Sequence, residues 1–146
     1  MTVVLDEDSL LCDQTNRICV KWVDLKGIKN KSIEGSIKKF STMPRKDMEE
    51  LSKKIDLYYL LGVLNSEYAN TLLNYIRGEG NKDVNPDYIR EIKIPLPDYD
   101  TQKEIATLVK EVMALKKEYK DADTSDIESK IDLMVYNLYE NDKNNS

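Results

Sequence analysis

Three observations predict an α+β fold for this chain. Near the amino terminus, short apolar runs are separated by turn-forming clusters, and the run from Ile18 to Val23 alternates with a period of two. Beyond residue 100, apolar residues recur at helical spacing behind two capping-box patterns. Between these regions, Ile92-Lys-Ile-Pro-Leu-Pro97 is apolar and extended, with two prolines that confine it to a sheet edge or a brief extended segment. The expected architecture is a small N-terminal antiparallel sheet, a helical middle, a short extended Ile-Pro-Leu-Pro segment and a C-terminal antiparallel helix pair. The 146 residues suit a single domain: 1–40 mostly β, 45–78 helical, 79–100 loop and short strand, 101–140 the helix pair.

In chain order, Thr2–Leu5 and Ser9–Cys12 are short apolar runs divided by Asp6-Glu-Asp8, and Asp13-Gln-Thr-Asn16 is a second turn cluster. In the strand Ile18–Val23, Ile18, Val20 and Trp22 share one face, the one expected to point inward. Residues 24–39 lack clean periodicity and are punctuated by Gly27 and Gly35, which reads as loop with brief strand pieces. Pro44 opens a helical region in which Met48, Leu51 and Ile55 form a stripe. Asp56 caps the next helix, Asn65-Ser66 interrupts or re-caps it, and Gly78 stops it. Asn85 and Pro86 fit an N-cap with proline in the first turn of a short helix over 86–91. Thr101-x-x-Glu104 and Ser125-x-x-Glu128 open the last two helices. Their stripes are Ile105, Leu108, Val109, Val112 and Met113, and then Ile127, Ile131, Met134, Val135 and Leu138.

Composition narrows the chemistry. There is no histidine, so Ser-His and Cys-His nucleophile pairs and an imidazole base are excluded. Cys12 and Cys19 are too few for a zinc site and fit free thiols in a reducing compartment. No apolar run is long enough to span a bilayer and no signal peptide opens the chain, so a cytoplasmic location is expected, with no membrane partner. The net charge is −5, yet Arg17–Lys54 holds eleven basic residues against five acidic ones, a local excess of about +6. One polyanion-facing surface on an otherwise acidic chain is compatible with that asymmetry.

Four strings in order carry a resemblance: Trp22-Val-Asp-Leu-Lys-Gly-Ile-Lys-Asn-Lys-Ser-Ile33, Tyr59-Leu-Leu-Gly-Val-Leu-Asn-Ser66, Asn85-Pro-Asp-Tyr-Ile-Arg-Glu-Ile-Lys-Ile-Pro-Leu-Pro97 and Ile127-Glu-Ser-Lys-Ile-Asp-Leu-Met-Val-Tyr-Asn-Leu-Tyr139. Together, over residues 13–139, they resemble the TaqI-like C-terminal specificity (target-recognition) domain of type II restriction–modification enzymes, which is related to type I specificity subunits. The resemblance implies a non-catalytic domain that docks on double-stranded DNA and reads a short sequence, while an adenine methyltransferase or nuclease domain or subunit acts on the target. S-adenosylmethionine and a divalent metal would belong to those catalytic domains, and no cofactor is expected in this chain. A fragment of a larger enzyme, truncated or excised, is the expected relation to them. The alternative is a helical interaction module, a homodimer through the C-terminal helices of a type I-like specificity subunit.

For DNA contact the sequence nominates Lys26, Lys29, Asn30, Lys31 and Ser32, a donor-rich run beside Gly27. Lysine and hydroxyl suit phosphate oxygens, and asparagine can pair with an adenine edge. Lys38, Lys39, Arg45 and Lys46 follow as phosphate contacts, with Arg77 and Lys82 as weaker candidates beside the Gly78–Gly80 loop. A solvated surface loop is the plainer explanation of the same lysines. Asn85-Pro-Asp-Tyr88 is close to the Asn-Pro-Pro-Tyr of amino-methyltransferases, but no apolar strand leads into it and no glycine motif for a methyl donor is present, so a helix cap explains it. Asp87, Glu91 and Lys93 match a nuclease metal set only in composition, because such carboxylates come from separate strands. Tyr68, Tyr75, Tyr136 and Tyr139 lie on or beside helical stripes and are assigned to the core rather than to base stacking.

Overall fold

The computed structural model describes residues 1–6, 19–78 and 85–144, and every described element is helical. A single 3-10 turn at Trp22–Leu25 precedes α1 (Lys31–Phe40), α2 (Arg45–Lys53), α3 (Leu57–Asn65), α4 (Glu67–Arg77), α5 (Pro86–Arg90), α6 (Tyr99–Glu118) and α7 (Ser125–Asn144). The chain divides into two compact units, Met1–Leu10 with Asp56–Ser146, and Leu11–Ile55.

The expected N-terminal sheet is absent among the described residues. Residues 1–6 carry no regular secondary structure and pair with no strand among the described residues: the Asn65 side-chain amide takes both sides of Val3, accepting its N–H at 2.8 Å and donating to its carbonyl at 2.9 Å. The carboxyl half of the expected strand Ile18–Val23 instead turns into the 3-10 segment, where the Val23 N–H donates to Ser52 Oγ at 2.9 Å. In both places a side chain satisfies backbone groups that a ladder would have used, those of Val3 and the Val23 N–H. Ser9–Cys12 and Ile18 lie outside the described residues. The region 24–39, expected as loop with strand pieces, carries α1: Asn30 Oδ1 accepts the Ile33 N–H at 2.8 Å, and Ile33 and Ile37 stand one above the other on the half-buried side.

Elsewhere in the chain the predicted breaks recur. Pro44 precedes α2, and Asp56 Oδ1 accepts the Tyr58 and Tyr59 N–H groups at 2.8 and 3.0 Å to start α3. Ser66 both ends α3 and caps α4, donating to Val63 O at 2.7 Å and accepting the Ala69 N–H at 3.2 Å. Gly78, at φ 76°, closes α4. Asn85 caps the short α5, and the cap of α6 falls three residues earlier than the capping-box reading, with Asp98 Oδ1 accepting the Thr101 N–H at 2.8 Å.

The larger unit is built on α3, α6 and α7. Tyr59, Val63, Leu73, Ile105 and Val135 are wholly buried in it. Gly62 permits the close approach of α3 to α6, since a Cβ there would lie 2.9 Å from Val109 Cγ2 and 3.1 Å from Ile105 Cγ2. Helices α6 and α7 run antiparallel, as the C-terminal helix pair was expected to do: Lys116 meets Glu128 at 2.9 Å beside the connection, while farther along Val109 and Ile131 both face Gly62. The Ile-Pro-Leu-Pro segment is fixed on this frame because Tyr59 Oη donates to Pro95 O at 2.8 Å and the buried Gln102 donates to Pro97 O at 3.1 Å.

Candidate nucleic-acid interface

The basic stretch falls in the Leu11–Ile55 unit, and the structure divides its cations into two kinds. Some hold the unit together. Arg45 donates from Nε to Glu49 at 2.8 Å, from Nη1 to Ile28 O at 2.8 Å and from Nη2 to Leu25 O at 2.5 Å, tying the segment after the 3-10 turn to α2. Lys21 Nζ donates to Ile55 O at 2.6 Å. Buried Ser52 joins the 3-10 turn to α2 by accepting from Val23 and donating to Glu49 O at 2.9 Å. Gly27, at φ 79°, makes the turn that such a short connection requires.

The second kind faces solvent. Lys26, Lys29, Lys31, Lys38, Lys39 and Lys46 are all exposed, as is Ser32. Lys29, Lys31 and Lys38 make no ion pair or hydrogen bond among the described residues. Lys31 and Ser32 open α1 and Lys38 and Lys39 close it, all on the side away from Ile33 and Ile37. Lys26 and Lys46 lie near the Glu50 carboxyl. That carboxyl is held below its ordinary range, first by its hydrogen bond and charge contact with Lys53 and then by these two lysines.

The nominated residues therefore separate by role. Asn30 uses one lone pair of its carbonyl oxygen to cap α1, which fixes the side-chain orientation and leaves its NH₂ to donate and a second lone pair on the oxygen. Both structural roles had a sequence signal, the Arg45–Glu49 i,i+4 spacing and the Asn30-to-Ile33 cap spacing. Arg77 sits half-buried in the last turn of α4, in the other unit, and Lys82 lies outside the described residues.

The alternative motifs resolve into local structure. Asn85 Oδ1 accepts the Asp87 N–H at 3.0 Å as a cap, and Asp87 pairs with Arg90. Among the described residues, no group of three or more His, Cys, Asp or Glu could hold a metal ion. Tyr68 stacks on Tyr139 with ring centroids 4.1 Å apart and meets Tyr136 edge-on at 6.2 Å. Tyr75, assigned to the core from its stripe, is 85% exposed. No helix among the described residues is long and apolar enough to cross a membrane.

With this geometry in place, comparison with known proteins gives one match. The family model described as type I restriction modification DNA specificity domain matches residues 26–128 of the 146. No curated protein and no solved structure matches the chain.

Proposed function

Because the chain belongs to the type I restriction modification DNA specificity domain family, we propose that it reads a DNA sequence on behalf of a methyltransferase or nuclease carried by another domain or subunit, and performs no catalysis itself. The observation that supports this reading is the exposed set Lys29, Lys31 and Lys38, cations without a partner among the described residues on a chain whose net charge is −5. Lys26, Lys39 and Lys46 extend the phosphate-facing surface. Ser32 and the Asn30 NH₂ supply directional donors, and Arg45 shapes the surface from beneath. Within the family, the four ordered strings favour the TaqI-like form of target-recognition domain. S-adenosylmethionine and a divalent metal would be held by the catalytic partner.

Titration of the full chain with duplex DNA across a salt series tests this. Contact with about six phosphates gives a slope of log affinity against log salt near −5, and a flat response removes the reading. Replacing Lys29 and Lys31 by glutamate should abolish most of the binding. The fold should survive, since residue 31 opens α1, where an acidic side chain favours the helix.

A second reading has its own support. On α7, Leu133 is 61% exposed and Tyr136 is 48% exposed, one helical step apart, which suits helix pairing with another chain. A stable dimer in native mass measurements, abolished by Leu133→Lys, would favour an interaction module. A monomer at all concentrations would end that reading.

A further inference from the structure

We propose, on the footing of the DNA-reading function above, that the solvent face of α1 lies against the sugar-phosphate backbone of duplex DNA, and that Gly35 is what lets it come close. Gly35 occupies the middle of α1 with no positive φ, and a Cβ built on it meets nothing within 4 Å. Among the described residues, neither backbone conformation nor packing therefore calls for glycine, which is, after proline, the least favourable residue inside a helix. Its neighbours on the helix surface, three and four residues away, are Lys31, Ser32, Lys38 and Lys39. A bare patch of helix backbone is thus ringed by three ammonium groups and one hydroxyl, with the Glu34 carboxylate on one flank.

Charge decides the occupant. The ring matches a row of anions, and no apolar side chain lies within it to enter a bilayer, because Ile33 and Ile37 stand on the opposite, half-buried side. A phosphodiester strand supplies anions in series, so lysines a full two turns apart can engage neighbouring phosphates while the strand passes over Gly35. A methyl group at residue 35 would hold that strand away and lengthen every lysine contact around it.

The experiment measures binding of a labelled mixed-sequence duplex, and in parallel of poly-glutamate, to the full chain and to Gly35→Ala, Gly35→Leu and the double variant Lys31→Gln/Lys38→Gln. Gly35→Ala should raise the thermal midpoint, because alanine favours the helix, and yet weaken duplex binding by about tenfold. Gly35→Leu should weaken binding further. The salt slope should stay as in the parent for both glycine variants and fall by about two in the double lysine variant. Unchanged duplex binding by Gly35→Ala and Gly35→Leu, with binding weakened by the lysine changes, overturns the close approach and leaves the DNA-reading function standing. No change in any variant overturns the use of this face. Poly-glutamate binding with the same dependence on Gly35 overturns the choice of DNA as occupant. An unmodified chain that binds no duplex at low salt removes the DNA-reading function and this inference together.

Discussion

Replacing Tyr139 by phenylalanine should stabilise the protein, against the ordinary expectation for a change in a buried cluster. The Tyr139 ring is 6% exposed and stacks on Tyr68 at 4.1 Å, but its hydroxyl has no hydrogen-bond partner among the described residues. An unsatisfied buried polar group costs about 1–3 kcal/mol. Phenylalanine keeps the ring, the stack and the volume and removes only the stranded oxygen, so a gain of about 1 kcal/mol is expected near neutral pH. The same burial pushes the Tyr139 phenol up to about 12, with a smaller contribution from Tyr68. Because the folded pKa is raised above an unfolded value near 10, the contribution is present in full below about pH 10 and is lost as pH rises toward 12. The shift corresponds to roughly 2–3 kcal/mol lost across that interval. Urea denaturation followed by circular dichroism from neutral to alkaline pH should show Tyr139→Phe more stable than the parent at every pH. The gap should widen through the phenol range, with a residual decline from Tyr59, which is also raised chiefly by burial. A variant less stable by 1 kcal/mol or more at neutral pH would mean that the hydroxyl is satisfied, and the reasoning would fail.

Other consequences of the packing can be measured in the same way. Gly62→Ala places a methyl within 2.9 Å of Val109 Cγ2, so overpacking should outweigh the gain in helix propensity and cost about 1 kcal/mol net in urea denaturation. Arg45→Ala removes donors to Ile28 O, Leu25 O and Glu49, and hydrogen exchange should show the amides of residues 25–30 opening more readily, by about 2 kcal/mol, with Arg45→Lys giving little rescue. Asp98 is held below the ordinary carboxylate range mainly by the Thr101 hydrogen bond, and Glu128 mainly by its bonds from Lys116 and Thr124. Depressed folded pKa values give stability that is present above about pH 4 and lost as the pH falls through the lowered values, so Asp98→Asn should flatten part of the acid decline in the denaturation midpoint.

How much of this was legible in the sequence follows from which interactions are local. Asp56, Ser66, Gly78 and Asn85 act within a few residues of themselves, and the helix boundaries they mark are those of the structure, whereas at α7 it is Thr124, one residue before the expected Ser125, that bonds Glu128. Val3 and Val23 are different: their apolar, alternating surroundings favour a strand, but a strand needs a distant partner, and Asn65 and Ser52 take the backbone groups instead. No period in the sequence announces a side chain that stands in for a ladder. Helix α1 is not legible in the sequence because Gly27 and Gly35 look alike as letters. Only Gly27 has the positive φ that glycine favours, whereas Gly35 is an ordinary helical residue without a side chain. Tyr75 followed its stripe onto α4 and yet points to solvent, since periodicity gives a face but not the width of what covers it. In the candidate interface the charge was legible and its division was not. The sequence counts Arg45 and Lys53 equally with Lys31 and Lys38, while the structure commits the first two to carbonyls and carboxylates.

That division bears on how an acidic chain could select a duplex. The eleven basic residues of Arg17–Lys54 give a local excess of about +6, but Lys21, Arg45 and Lys53 have internal partners, so the charge offered to a partner is smaller than the count. With a screening length of about 8 Å at physiological salt, a phosphate responds to the few lysines beside it rather than to the net −5 of the chain. Phosphate contacts of that kind set position and carry no sequence information. Under the proposed function, discrimination between bases would rest on the short directional donors around the amino end of α1, Ser32 and the Asn30 amide, and on how closely the helix can approach. Asn30 is already fixed by its cap, so the geometry of any base contact it makes is set by the same hydrogen bond that starts the helix. On that proposal the capping bond and the reading surface would be one structural feature, and a change that loosened the start of α1 should alter selectivity before it altered charge.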